Sequence, residues 1–152
     1  MSILPTKILL ATDGSEEATL AARTAGDIAQ KTDSELHVVH VKGASVYIDP
    51  STERARVLHG AAEETAKSEA QEMLDAQVEQ IEAAGGKVAQ TYVRLGRPAE
   101  EIVILADEID AGLLVVGSRG LGGVRRLLLG SVSDSLVRHA HCPVLVVRKD
   151  QR

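Results

Sequence analysis

Glycine, arginine and serine crowd between Leu113 and Ser133, where the chain reads LLVVGSRGLGGVRRLLLGSVS. Leu113 to Gly117 is apolar enough for a buried strand. Gly117, Gly120, Gly122 and Gly123 then interrupt the chain, with Arg119, Arg125 and Arg126 among them. Leu127 to Leu129 leads into Gly130 and Ser131, after which the spacing becomes helical. A strand that ends in small residues and feeds a helix N-terminus can hold an anion. Backbone N–H groups face the ligand unobstructed, and the helix end adds partial positive charge. The hydroxyls of Ser131 and Ser133 and the three arginines could supply further donors. Glycines in such numbers also make turns, and surface arginines also serve solubility. The run alone leaves both readings open.

A second chemically able residue is Asp13, at the end of the apolar run KILLAT. It could be a turn or capping aspartate. It could equally be a carboxylate at the carboxyl end of a parallel strand, where open α/β sheets place their ligands and where ribose hydroxyls could donate to it. Several other chemistries are excluded. The glycine run lacks the lysine of a P-loop, and the first strand–helix turn, TDGSEEA, lacks the dinucleotide fingerprint. No nucleophile elbow appears. His37 and His40 have opposite parity along their strand, and His139, His141 and Cys142 are too closely spaced for a standard zinc motif.

The elements that must position these residues alternate. Lys7 to Thr12 reads as a first strand covered on both faces. Ser15 is the expected N-cap of a helix whose stripe is Ala18, Ala21, Ala22, Ala25, Ile28 and Ala29. Glu16 and Glu17 in its first turn argue against an anion at that helix end. Glu35 to Val41 is the second strand, and Lys42 to about His59, with Tyr47, reads as irregular. Ala61 to Ala84 is predicted as a long helix with Ala66, Ala70, Met73, Leu74, Val78 and Ile81 inward, stopped by Gly85 and Gly86. Lys87 to Leu95 reads as an edge strand, and Ala99 to Asp110 as a helix burying Ile102, Val103, Ala106 and Ile109. Leu113 to Gly117 is the fourth strand. A fourth helix from about Ser131 should bury Val132, Leu136 and Val137, with Asp134 completing a capping box. Pro143 to Val147 closes the chain as a strand.

The order β-α-β-α-β-α-β-α-β predicts an α/β fold with an open parallel five-stranded sheet and helices on both faces. The chain resembles the universal stress protein family over about Lys7 to Arg148. Its spacing Gly117-x2-Gly120-x9-Gly130-Ser131 is that of the family's nucleotide-binding members, and ILLATDGSEEA is similar to the family's opening. The resemblance implies the adenine nucleotide alpha-hydrolase-like strand order 3-2-1-4-5. It also implies a nucleotide site formed by Ala11, Thr12, Asp13, Val41, Gly117, Arg119, Gly120, Gly130, Ser131, Val132 and Ser133. Within it, Asp13 would contact the nucleotide and the backbone of Val41 the adenine base. The ligand would be ATP, with AMP or cyclic AMP as further candidates and Mg or Mn carried by the phosphates. The implied function is that of an ATP-binding stress-response or regulatory protein, the alternatives being a slow ATPase or an interaction module that does not use the nucleotide. The C-terminal strand 143–147 would pair with its copy in a homodimer.

Composition narrows the classes further. The 152 residues fit one domain, and 44% are hydrophobic, enough for an ordinary core. The chain has no Trp or Phe and only Tyr47 and Tyr92, so it lacks the stacking platforms of single-strand nucleic-acid binders. Lys and Arg number 17 against 22 Asp and Glu, a net charge of −5, which does not suit a DNA or anionic membrane surface. A single cysteine precludes an intrachain disulfide. Neither a membrane span nor a signal peptide is recognisable, so a cytoplasmic protein is expected.

Overall fold

A computed structural model describes residues 2–43, 51–118 and 129–149. The elements run β1 (Lys7–Ala11), α1 (Glu16–Thr32), β2 (Glu35–Lys42), α2 (Glu53–Ala83), β3 (Gln90–Leu95), α3 (Pro98–Glu108), β4 (Leu113–Gly117), α4 (Ser131–His139) and β5 (Val144–Val147). The five strands form one parallel sheet in the order β3-β2-β1-β4-β5. This is the predicted order, and it reverses direction between β1 and β4, which opens a crevice at the carboxyl ends of those strands.

Strict alternation along the strands divides the core in two. Ile8, Leu10, Leu36, Val38 and Val115 pack with the alanine stripe of α1 and with Leu74 and Ile81 of α2. Leu9, Val39, Val41, Leu114 and Val116 pack with Ile102, Leu105 and Ala106 of α3 and Leu136 of α4. The central strand β1 is apolar on both faces because both faces are covered: Ile8, Leu9 and Leu10 are fully buried. The small alanines of α1 let the helix sit close to the sheet, which suits a core with almost no aromatic residues. Ser15 caps α1 as expected, its hydroxyl accepting the Ala18 N–H at 3.1 Å.

Three expectations are corrected. First, the segment read as irregular up to His59 is helical from Glu53. Thr52 caps α2 by accepting the Ala55 N–H at 3.1 Å. Its first turns bury nothing; the first buried residue of α2 is Ala70, so no apolar stripe marks the start in sequence. Helix-favouring residues and the pairs His59–Glu63 and Lys67–Glu63 support the exposed part instead. Second, α4 is capped by Gly130, not Ser131, so the capping box with Asp134 does not form; Asp134 pairs with Arg138 at 3.0 Å. Third, Val137 is exposed, while Ser133 takes the buried position on the inner face of α4. Shorter shifts trim β1, β3 and β5 by one to three residues, and α3 begins one residue earlier, at Pro98, and ends two earlier, at Glu108, than the sequence suggests. Among the described residues no helix is long and apolar enough to cross a membrane.

Candidate functional site

The crevice is built from strand ends of unequal length. β1 stops at Ala11, which lies level with Val39 of β2 and Val116 of β4. β2 continues to Lys42 alongside β3. The Thr12 N–H donates to the Val39 carbonyl at 3.0 Å, whereas the Lys42 carbonyl accepts from Gly96 beyond β3. Peptide groups two residues apart on a strand point the same way. The backbone of Val41 therefore faces the space above the end of β1.

On the other side of β1, Gly117 ends β4 against the first turn of α1. A Cβ on Gly117 would stand 3.0 Å from the Glu17 carbonyl carbon and 3.1 Å from its Cβ. Glycine thus suits a close helix–strand approach, since any Cβ there would need the first turn of α1 to give by a few tenths of an ångström. Ser118 follows and gathers four bonds. Its N–H donates to the Val147 carbonyl of β5 at 2.8 Å, and its hydroxyl donates to the Glu17 carboxylate. Its carbonyl accepts the Gly130 N–H at 2.7 Å and the Ser133 hydroxyl at 2.6 Å. The two ends of the glycine run are therefore tied together, and the N-terminus of α4 is brought to the end of β4. Gly130 has φ −66° and ψ 163°, extended geometry open to any residue.

The turn after β1 is equally fixed. The Thr12 hydroxyl donates to Gln77 Oε1 of α2 at 2.8 Å, and His40 Nδ1 donates to the Thr12 carbonyl at 2.8 Å. Burial lowers the His40 pKa; the bond to Thr12 and the nearby Asp13 charge oppose this in part. Asp13 is half-buried, and its Oδ1 accepts the Ser15 N–H at 2.9 Å, the bond of an Asx turn. Gly14, at φ +79°, is the left-handed residue this turn needs.

Of the predicted site residues, Ala11, Thr12, Asp13, Val41, Gly117, Gly130, Ser131, Val132 and Ser133 lie at the carboxyl ends of β1, β2 and β4 or at the start of α4. Ala11, Thr12 and Ser133 are buried there, and Ser131 is exposed at the first position of the helix. Arg119 and Gly120 lie outside the described residues, as do Arg125, Arg126 and Tyr47. Sequence reading missed Glu17, His40, Gln77 and Ser118 as parts of this frame. Gln77 had a signal: Ala70, Leu74, Gln77 and Ile81 form the buried stripe of α2 at helical spacing. His37 and His141 serve elsewhere. His37 Nδ1 meets the Tyr92 hydroxyl at 2.9 Å, and His141 Nδ1 meets Asp107 at 3.0 Å.

An open parallel sheet whose strand order reverses between β1 and β4, flanked there by an overhanging strand and a helix N-terminus, defines a doubly wound α/β protein, an architecture that places ligands at such a reversal point. The universal stress protein family model matches residues 5–148, and the chain belongs to that family. It is 38% identical over 146 residues to a universal stress protein of Methanocaldococcus jannaschii, covering 96% of this chain and 84% of the relative. Among solved structures, it is similar to the universal stress protein UspA from Lactobacillus plantarum, with TM-score 0.79, 25% identity, and coverage of 94% and 97% of the two chains. It is also similar to a universal stress protein solved in complex with cAMP, with TM-score 0.65, 27% identity, and coverage of 93% and 94%.

Proposed function

We propose that this protein binds an adenine nucleotide, ATP foremost, in the crevice above β1, and acts in the cytoplasm as a single-domain stress-response regulator. The observation that carries the reading is the pair of walls around that crevice. β2 outruns β1 and turns the Val41 peptide groups inward, while the tie at Ser118 draws the α4 N-terminus to the opposite side. The first wall suits the hydrogen-bonding edge of a base, and the second suits phosphate. Asp13, between them, is the acceptor for ribose hydroxyls. Membership of the family and the relative bound to cAMP support an adenosine ligand. Among the described residues no group of three His, Cys, Asp or Glu could hold a metal ion. In this reading Mg or Mn is carried by the phosphates of the nucleotide.

The test is titration calorimetry with ATP, AMP, cyclic AMP and adenosine. ATP should bind more tightly than adenosine, because the helix N-terminus and the glycine run add contacts only to phosphate. Asp13→Ala should weaken every adenosine ligand by about ten- to a hundredfold, the value of a hydrogen bond to a charged group. A folded Asp13→Ala variant with unchanged affinities would exclude Asp13, and equal affinity for ATP and adenosine would exclude the phosphate site. Product analysis after long incubation distinguishes a binder from a slow ATPase.

The same reading includes a homodimer through β5. Among the described residues this strand lies at the sheet edge, with β4 as its one neighbour in the sheet. Val144 and Val146 pack into one core and Leu145 and Val147 into the other. A lysine at any of these positions would damage the monomer as well as the dimer, so the unmodified protein is the proper sample. Light scattering at micromolar concentration should give twice the 16.1 kDa of the chain; a monomeric mass would refute the pairing.

A further inference from the structure

We propose that His40 and Gln77 are positioning residues for the nucleotide cleft, acting through Thr12. The inference rests on the nucleotide reading above and deepens it. Thr12 directly precedes Asp13 and is 5% exposed. Every polar group it carries is engaged. Its N–H donates to Val39 at 3.0 Å, its carbonyl accepts from His40 Nδ1 at 2.8 Å, and its hydroxyl donates to Gln77 Oε1 at 2.8 Å. The Gly14 N–H reaches the same hydroxyl at 3.3 Å. Thr12 therefore fixes the backbone from which the Asp13 turn departs.

The chemistry of these bonds assigns each partner a defined state. A carbonyl only accepts, so His40 carries its proton on Nδ1 when neutral. Gln77 accepts from Thr12 with Oε1 and donates with Nε2 to Gln80 at 3.2 Å, which sets the orientation of its amide. Gln77 is 3% exposed, on a helix stripe where its neighbours at the same depth are Leu74 and Ile81. An apolar residue would fill that position equally well. The amide is distinguished from one only by its bond to Thr12 and its link to Gln80. Two elements far apart in sequence, β2 and α2, thus converge on the residue before Asp13. Together they hold the Asp13 turn where the Val41 backbone and the α4 N-terminus require it, before any ligand arrives.

The experiment compares ATP affinity in the full-length protein and in His40→Leu, His40→Gln, His40→Asn and Gln77→Leu, with circular dichroism and thermal melts on each. Asparagine places its amide nitrogen where Nδ1 stands and can still donate to Thr12; glutamine places its nitrogen where Nε2 stands and cannot. His40→Leu, His40→Gln and Gln77→Leu should each weaken ATP binding by about fivefold or more, the worth of one ordinary hydrogen bond. His40→Asn should bind within about twofold of the unmodified protein. A role confined to folding would lower the melting temperature without separating asparagine from glutamine in affinity. If His40→Leu does not fold, the asparagine and glutamine pair decides. Equal affinities of folded His40→Gln and His40→Asn, or an unchanged affinity in folded Gln77→Leu, would overturn the assignment of that residue while leaving the nucleotide reading intact. No ATP binding by the unmodified protein would overturn both.

Discussion

Removing the Ser133 hydroxyl tests whether it holds the protein together or waits for a ligand. Ser133 is 2% exposed and donates to the Ser118 carbonyl at 2.6 Å, with the Gly130 carbonyl at 3.1 Å. Ser133→Ala loses that bond, a net contribution of about 1 kcal/mol. The Ser118 carbonyl keeps the Gly130 N–H at 2.7 Å, so no acceptor is orphaned and the larger penalty of an unsatisfied group does not apply. Alanine favours the helix over serine by up to about 0.5 kcal/mol, which offsets part of the loss. The expected destabilisation is about 0.5–1 kcal/mol without ligand, or about 1–4 °C in melting temperature for a chain of this size. Ser131→Ala is the control: Ser131 is exposed and makes no side-chain cap bond, so its stability should stay within about 0.5 kcal/mol of the unmodified protein. Urea unfolding of the ligand-free proteins reads both. Ser133→Ala with the stability of Ser131→Ala would refute the clamp and return Ser133 to the role of a donor aimed at phosphate.

Gly130→Ser should act with opposite signs on stability and binding. Serine tolerates the extended geometry of Gly130 and can cap α4, which has no side-chain cap bond, adding a few tenths of a kcal/mol; yet its side chain intrudes where phosphate must approach, so ATP affinity falls. Melting and calorimetry on the same sample check both, and a parallel change in the two would contradict this account. A pH series addresses His40. Burial holds its imidazole below the ordinary 6.5, so the unfolded chain takes up a proton there before the folded chain does. The stability contributed by the neutral ring is complete above that ordinary value and is lost as pH falls toward the lower folded value. His40→Asn keeps the donor and removes the titration, so between about pH 7 and pH 5 its stability should decline less than that of the unmodified protein. Parallel declines would show that His40 is not held neutral.

The order of elements, the parallel sheet and the α1 cap were all legible in the amino-acid sequence, because each rests on local periodicity or on residues three or four apart. The apolar run of β4 was placed to the residue, since the glycine at its end stops it sharply. The paired signals at Asp13 and Gly117 to Ser131 carried the family resemblance, and with it the strand order 3-2-1-4-5 that the sheet adopts. The start of α2 was not legible because an exposed helix leaves no apolar stripe to count. Val137 was assigned to the wrong face of α4 because the rotation of a short helix is set by what it packs against; here the bond from Ser133 to Ser118 turns the serine inward. The polar frame around the end of β1 was not legible in the sequence. Glu17 meets Ser118 across 101 positions, and Gln77 meets Thr12 across 65. Such bonds have no period and no local spacing. They exist because the parallel crossovers bring α1 against the end of β4 and α2 against the end of β1, and there the burial of a polar group requires a partner.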